Sequence, residues 1–259
     1  MNPHEGEVCA VMVAYNPSEG IGQRLRDVAT YVSHLIVVDN TELGNSPTFD
    51  PSSLGGRPDI LHNKANLGPA TALNIGVSRA VGSGYPYVLI LDQDSVPQAG
   101  MVQALVEAHR HHPERERVAL VAPQPIDPGI ETRPRYVRNW MGPSFELVEC
   151  EGATLENVTL VIASGALLPT KAILALGPFR DDYFIVYIDT EYCLRALARG
   201  YKIVVASNAR LHHRLGNQKA ARLGPLSSSQ PCTPPTGGTT WAETASPPWP
   251  AMGPSSPTG

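Results

Sequence analysis

The run Val88-Leu89-Ile90-Leu91 breaks directly into Asp92-Gln93-Asp94. A branched apolar run this short reads as a buried strand. The pattern recurs. Val8 to Ala14 is closed by Tyr15-Asn16-Pro17, Leu35 to Val38 ends in Asp39-Asn40, and Ile60-Leu61 ends near Asn63. Helical spacing lies between these runs: Gly22 to Tyr31 through Leu25, Val28 and Ala29, then Pro69 to Ala80, then Gly100 to His111. Val118 to Ala122 is a further strand. Such alternation predicts an α/β fold, with a mixed, mainly parallel sheet and helices on both faces.

Beyond Ala122 the pattern loosens, and residues 123–157 contain five prolines. Val158 to Leu168 is strand-like around Ser164-Gly165. Thr170 to Leu176 reads as a short helix stopped by Gly177-Pro178. Ile188 to Arg199 is a helix stopped by Gly200, and Ile203 to Ala206 a strand. From Gly224 to Gly259 the residues are mostly Pro, Gly, Ser and Thr, with Glu243 the only charged side chain. Such a segment buries too little apolar surface to offset its ordering entropy. The expectation is a folded domain over 7–217 and a disordered tail over 218–259. A shift of reading frame near Ala220 to Leu223 is one source of so sudden a change.

With a formal charge of -4 and scattered basic residues, the chain has no bulk attraction for nucleic acid or anionic lipid. Arg110, Arg115 and Arg117 read as a solvated helix end, and no nucleic-acid partner is expected. Cys9, Cys150, Cys193 and Cys232 form no CxxC pair. They read as buried thiols of a reducing compartment rather than as a zinc site or disulfide framework. There is no basic-then-apolar N-terminus and no apolar run near the ~20 residues of a membrane span. The expected location is the cytoplasm, with room for peripheral contact at the inner face of the plasma membrane. No feature points to an oligomeric state.

In open parallel sheets ligands bind beyond the carboxyl ends of the strands. Four polar clusters fall there: Tyr15-Asn16, Asp39-Asn40, Asn63 to Asn66, and Asp92 to Asp94. Two carboxylates as close as Asp92 and Asp94 repel unless a cation lies between them. A divalent ion with oxygen ligands resolves this and can also hold a diphosphate. An ordinary acidic turn is the plain alternative. Asp39 suits a nucleobase or ribose, or a turn cap. Asn66-Leu67-Gly68 with Asn74 sets amides near a helix start, which suits phosphate or sugar hydroxyls, or simply a helix cap.

Asp189 and Glu191 open the later helix on different faces. Glu191 has Arg195 four residues on and suits a surface ion pair. Asp189 has no such partner on the helix and is the better general-base candidate. His213 begins His213-Arg214-Leu215-Gly216 and is a metal or phosphate ligand, or structural. Gly20-Ile21-Gly22 imitates a dinucleotide-binding fingerprint. However, Leu25 holds the third glycine position, and Tyr15 to Glu19 replace the tight turn.

In order and spacing, these segments resemble glycosyltransferase family 2, and within it the rhamnosyltransferase-like members. The matching residues are Val13 to Pro17, Ile36 to Asn40, Asn63 to Gly68 with Asn74-Gly76, Leu91 to Ser95, Ser164 to Ala166, Gly177 to Phe179, and Asp189 to Arg195 with Gly200-Tyr201. The resemblance implies a GT-A fold and inverting transfer of a sugar, with dTDP-rhamnose the expected donor. The nucleoside-diphosphate sugar would lie against Ala14, Tyr15, Asn16, Asp39, Asn66, Gly68, Asn74, Asp92 and Gln93. Asp92, Asp94 and His213 would hold Mg²⁺ or Mn²⁺. Asp189 would be the base, with Ile188 in place of the family's usual Glu. Gly165, Glu191 and Arg195 would face a glycan or lipid-linked acceptor. Family members usually continue past the His-x-x-Gly segment with charged, helical sequence, and this chain does not. The alternative is therefore a nucleotide-sugar-binding domain impaired in turnover by its altered C-terminus.

Overall fold

The computed structural model describes residues 7–18, 20–44, 58–126, 134–141, 144–183 and 187–212. The expected disordered tail and His213 lie outside them. The strands are β1 (Val8–Ala14), β2 (His34–Asp39), β3 (Pro58–His62), β4 (Tyr87–Asp92), β5 (Val96–Pro97), β6 (Val118–Ile126), β7 (Arg135–Met141), β8 (Ser144–Glu149), β9 (Thr154–Leu155), β10 (Leu167–Pro169) and β11 (Lys202–His212). The helices are α1 (Ile21–Ala29), α2 (Pro69–Gly82), α3 (Met101–His111), α4 (Thr170–Leu176) and α5 (Ile188–Ala198).

The main sheet runs β3-β2-β1-β4-β10-β6-β11-β5, with β9 also on β11. Strands β3, β2, β1, β4, β6 and β11 share one direction, while β10, β5 and β9 oppose it. This is the mixed, mainly parallel sheet that the sequence predicts. Its central strands are apolar on both faces because both faces are covered. Alternate residues Val8, Ala10, Met12 and Ala14 of β1 join one core with Ile21, Leu25 and Val28 of α1 and Met101, Val102, Leu105 and Val106 of α3. Opposite them, α2 lies on Val11 and Val38. A Cβ at Gly76 would stand 2.4 Å from Val11 Cγ1 and 3.0 Å from Val38 Cγ2, so glycine sets how closely α2 approaches. Pro69 opens that helix, where its missing N–H costs nothing.

Three segments differ from expectation. The irregular stretch 123–157 contains the hairpin β7–β8 and the short β9. Val158 to Leu168 is strand only from Leu167, because Gly165 at φ 82° turns the chain before it reaches the sheet. Strand β11 outruns Ala206 by a bulge before Arg210, and Ser207 in that bulge donates to the Ala153 carbonyl from both N–H and hydroxyl at 3.0 Å.

Cys9, Cys150 and Cys193 are buried free thiols, as expected. Burial pushes the Cys9 and Cys193 thiols up to about 12. Among the described residues no helix is long and apolar enough to cross a membrane.

Two predictions follow from packing. Gly76→Ala should cost about 1–3 kcal/mol in urea denaturation, since Val11 and Val38 cannot both withdraw. The second concerns His109, buried at the end of α3. Its Nε2–H donates to the Arg115 carbonyl at 3.1 Å, and its Nδ1 accepts from the Tyr87 hydroxyl at 3.0 Å. Burial holds this imidazole below its ordinary value of 6.5. As pH falls the unfolded chain takes up the proton first, so the contribution of His109 is present above about pH 6.5 and lost below it. The drop in Tm between about pH 7.5 and 5.5 should shrink in His109→Gln.

Candidate active site

Strand register lines up the predicted residues. Ala14 stands level with Asp39, Val13 with Asp92, and Asp39 with His62, so the carboxyl ends of β4, β1, β2 and β3 form one edge. Asp92, the last residue of β4, and Asp94, in the turn that follows, are exposed there. Gln93 between them is turned onto the chain. Its Oε1 accepts from the Tyr15 N–H at 2.9 Å, and its Nε2 donates to the Tyr15 carbonyl at 3.1 Å. Arg24 Nε donates to the Gln93 carbonyl at 2.8 Å. The β1–α1 loop and the acidic turn are thus one unit, with the Arg24 guanidinium on the backbone of the residue between the two carboxylates. Asn16, at φ 42°, donates its N–H to Thr41 Oγ1 at 3.0 Å, and the Tyr15 hydroxyl reaches Glu42 at 3.3 Å.

The β2 end is polar but closed. Asp39 is fully buried; its Oδ1 accepts from the Thr41 N–H at 3.1 Å and its Oδ2 from His62 Nδ1 at 3.0 Å. Asn40 organises the neighbouring loop. Its Oδ1 accepts from Asn63 Nδ2 at 3.0 Å and the Leu67 N–H at 3.1 Å, and its Nδ2 donates to Asn66 Oδ1 at 3.1 Å. Asn66 Oδ1 also accepts from the Gly68 N–H at 3.0 Å.

Asp189 lies in the first turn of α5, half-buried, and its Oδ2 accepts from the Ala163 N–H at 3.1 Å. The next residue, Ser164, reaches the other side of the site. Its Oγ accepts from the Asp92 N–H at 3.1 Å and pairs with Ser95 Oγ at 2.7 Å. Gly165 follows, buried; a Cβ there would stand 2.6 Å from Pro123 and 2.7 Å from Leu211.

Asn74, Glu191 and Arg195 meet at a loop behind Asp189. Asn74 pairs with both backbone groups of Phe179, at 2.8 and 2.9 Å. Arg195 holds Glu191 through two bonds at 2.9 and 2.8 Å and also donates to the Leu176 and Pro178 carbonyls. Phe179 stacks on the buried Tyr192 of α5, with centroids 4.4 Å apart. The polar groups of all three residues therefore brace α5. Sequence reasoning did not single out His62 or Arg24, and it placed Ser95 and Ser164 in matching segments without giving them a role. His62 was legible as the last residue of a strand ending at the polar edge. The contacts of the other three reach across the fold, which no local pattern shows.

A sequence model described as glycosyl transferase family 2 matches residues 9–172. The chain belongs to this family. The dTDP-rhamnosyl transferase RfbF of Shigella flexneri is 23% identical over 224 residues, covering 84% of this chain and 72% of that protein. The galactofuranosyltransferase GlfT1 of Mycobacterium tuberculosis is 26% identical over 223 residues, covering 82% and 71%. Among solved structures, GalNAc-T7 with UDP, GalNAc and Mn²⁺ superposes with a TM-score of 0.64 at 14% identity, over 82% of this chain and 44% of that one. TarS 1-349 of S. aureus with UDP superposes with a TM-score of 0.56 at 15% identity, over 79% and 60%. The chain spans less than two thirds of either solved protein. The fold is that of the GT-A glycosyltransferases.

Removing the Ser164 hydroxyl leaves the buried Ser95 hydroxyl and the Asp92 N–H without this partner. Ser164→Ala should therefore lose about 1–3 kcal/mol in urea denaturation, more than an exposed serine would.

Proposed function

We propose that this chain moves a sugar, with inversion, from a nucleoside diphosphate to a hydroxyl of a glycan or lipid-linked acceptor. The observation that carries this reading is the turn at Ala163-Ser164. It holds the Asp189 carboxylate through one residue and the Asp92 turn through the next. In this reading the base and the pair of exposed carboxylates are tied to one short turn.

Asp92 and Asp94 offer hard oxygen donors, which suit Mg²⁺ or Mn²⁺. Among the described residues no group of three His, Cys, Asp or Glu side chains forms a complete protein site. Donor phosphates and His213 would supply the remaining ligands. A metal held there would offset the charge developing on the departing diphosphate. The reaction itself is a single displacement. Asp189 takes the proton from the acceptor hydroxyl as that oxygen bonds to the anomeric carbon, while the bond from that carbon to the diphosphate oxygen breaks. The Ala163 N–H fixes the orientation of the Asp189 carboxylate. The leaving group is already acidic, so no second carboxylic acid is needed. Arg24, anchored on the Gln93 carbonyl, adds positive charge beside the diphosphate position. The Gln93–Tyr15 clamp shapes the wall on which the donor lies.

For the donor we propose dTDP-rhamnose, on the strength of the likeness to a dTDP-rhamnosyl transferase. The acceptor is a growing surface glycan in this reading. A thermal-shift panel of dTDP-, UDP- and GDP-sugars with and without Mn²⁺ checks the donor, and metal-dependent stabilisation by dTDP-rhamnose is the expected result. Asp189→Asn should fold and bind donor like the parent but transfer about 10²–10⁴-fold more slowly. Near-parental transfer by that variant would remove Asp189 as the base.

A further inference from the structure

Between the last turns of α3 and the strands β9 and β11 lies a cavity of about 300 Å³, the size at which small-molecule sites begin. It stands at the end of α3 opposite the one that follows the acidic turn. Small side chains line it: Ala104 and Ala108 of α3, Ala153, and Ala206 of β11. Glu107, Glu156 and His112 are among its polar members. The His112 side chain is only 2% exposed. The Glu114 N–H donates to its Nδ1 at 3.0 Å. A backbone N–H can only donate, so Nδ1 is bare and the ring proton is on Nε2. That Nε2–H is buried and makes no hydrogen bond among the described residues. The Glu156 carboxylate stands 3.4 Å away without accepting it. Buried donors are seldom left unbonded, so this one calls for an acceptor from outside the chain.

We propose that this cavity is a second carbohydrate site, which takes one neutral sugar unit with a hydroxyl set against both His112 and Glu156. The hydroxyl oxygen accepts from Nε2–H and its own proton goes to the Glu156 carboxylate. One atom thus serves a donor and an acceptor 3.4 Å apart. A trans amide cannot do so, because its C=O and N–H point in opposite directions. An anion would satisfy His112 but would face Glu107, Glu156 and the negative end of α3. A cation would suit the carboxylates and leave the buried N–H without an acceptor. The alanine side chains offer an apolar floor for the C–H face of a pyranose. Binding here needs neither donor nor metal, so it stands or falls apart from the transfer reading.

Amide NMR titration of the full chain, without nucleotide or metal, tests this with methyl α-L-rhamnopyranoside, methyl β-D-galactopyranoside and methyl α-D-glucopyranoside. At least one should shift the signals of Ala104, Ala108, Ala153 and Ala206 saturably, with a Kd of about 1–10 mM. Sodium phosphate and methylammonium chloride at the same concentrations should leave these signals in place. His112→Phe keeps the ring volume and should weaken the sugar about tenfold, the scale of one hydrogen bond. Glu156→Ala, at a partly exposed position, should do the same and decides the matter if His112→Phe does not fold. No saturable shift of these signals with any of the three sugars up to about 100 mM overturns the site. Saturable shifts there with phosphate or methylammonium overturn it too, as does parental sugar affinity in Glu156→Ala or in a folded His112→Phe.

Discussion

The turn at Ala163-Ser164-Gly165 lies against the middle of β4, with the Gly165 N–H donating to the Ile90 carbonyl at 2.7 Å and the Ile90 N–H to the Ala166 carbonyl at 3.0 Å. This backbone pairing fixes everything around it. It admits no side chain at Gly165, because Pro123 and Leu211 already fill that space. It sets Ser164 under the Asp92 turn and presents the Ala163 N–H to Asp189. Two carboxylate positions nearly a hundred residues apart in sequence thus owe their relation to three consecutive residues. Catalytic geometry tolerates little displacement, and a packed, hydrogen-bonded turn meets that demand better than a surface loop.

The layered architecture was legible because each parallel strand carries its own short apolar run with a polar stop. Val8–Ala14 is the strand the sequence predicts, residue for residue, and α2 differs only by two residues at its end. Legibility failed where neighbours rather than local pattern decide. Val158 to Ala166 is apolar enough to be a strand, yet it is a crossing segment buried at its two ends, because a left-handed glycine redirects it. The end of β11 is polar enough to be a loop, yet it is strand, because Gln124 to Ile126 and β5 offer it partners.

The site was half legible for a related reason. A carboxamide pairs equally well with a sugar hydroxyl and with a peptide group, and spacing cannot tell which it meets. Gln93 and Asn74 each pair with both backbone groups of one residue, Tyr15 and Phe179, as a neighbouring strand would. They extend the order of the sheet into loops that have no strand beside them. Glu191 shows the same ambiguity among charges. Its spacing to Arg195 signals an ion pair, but only the fold shows that the guanidinium also ties down two carbonyls of another segment.

The reversed strand β10 bears on how the chain assembles. It pairs with β4 on one side and β6 on the other, yet both of these are made well before it. During synthesis the β4 and β6 edges therefore wait, apolar and unpaired, until the chain has passed Pro169. Unpaired edges of this kind invite pairing with other chains. The same insertion also brings Ser164 to the Asp92 turn. The acidic turn is therefore locked only once β10 has covered these two edges, and the link from that turn to α5 is a late product of folding.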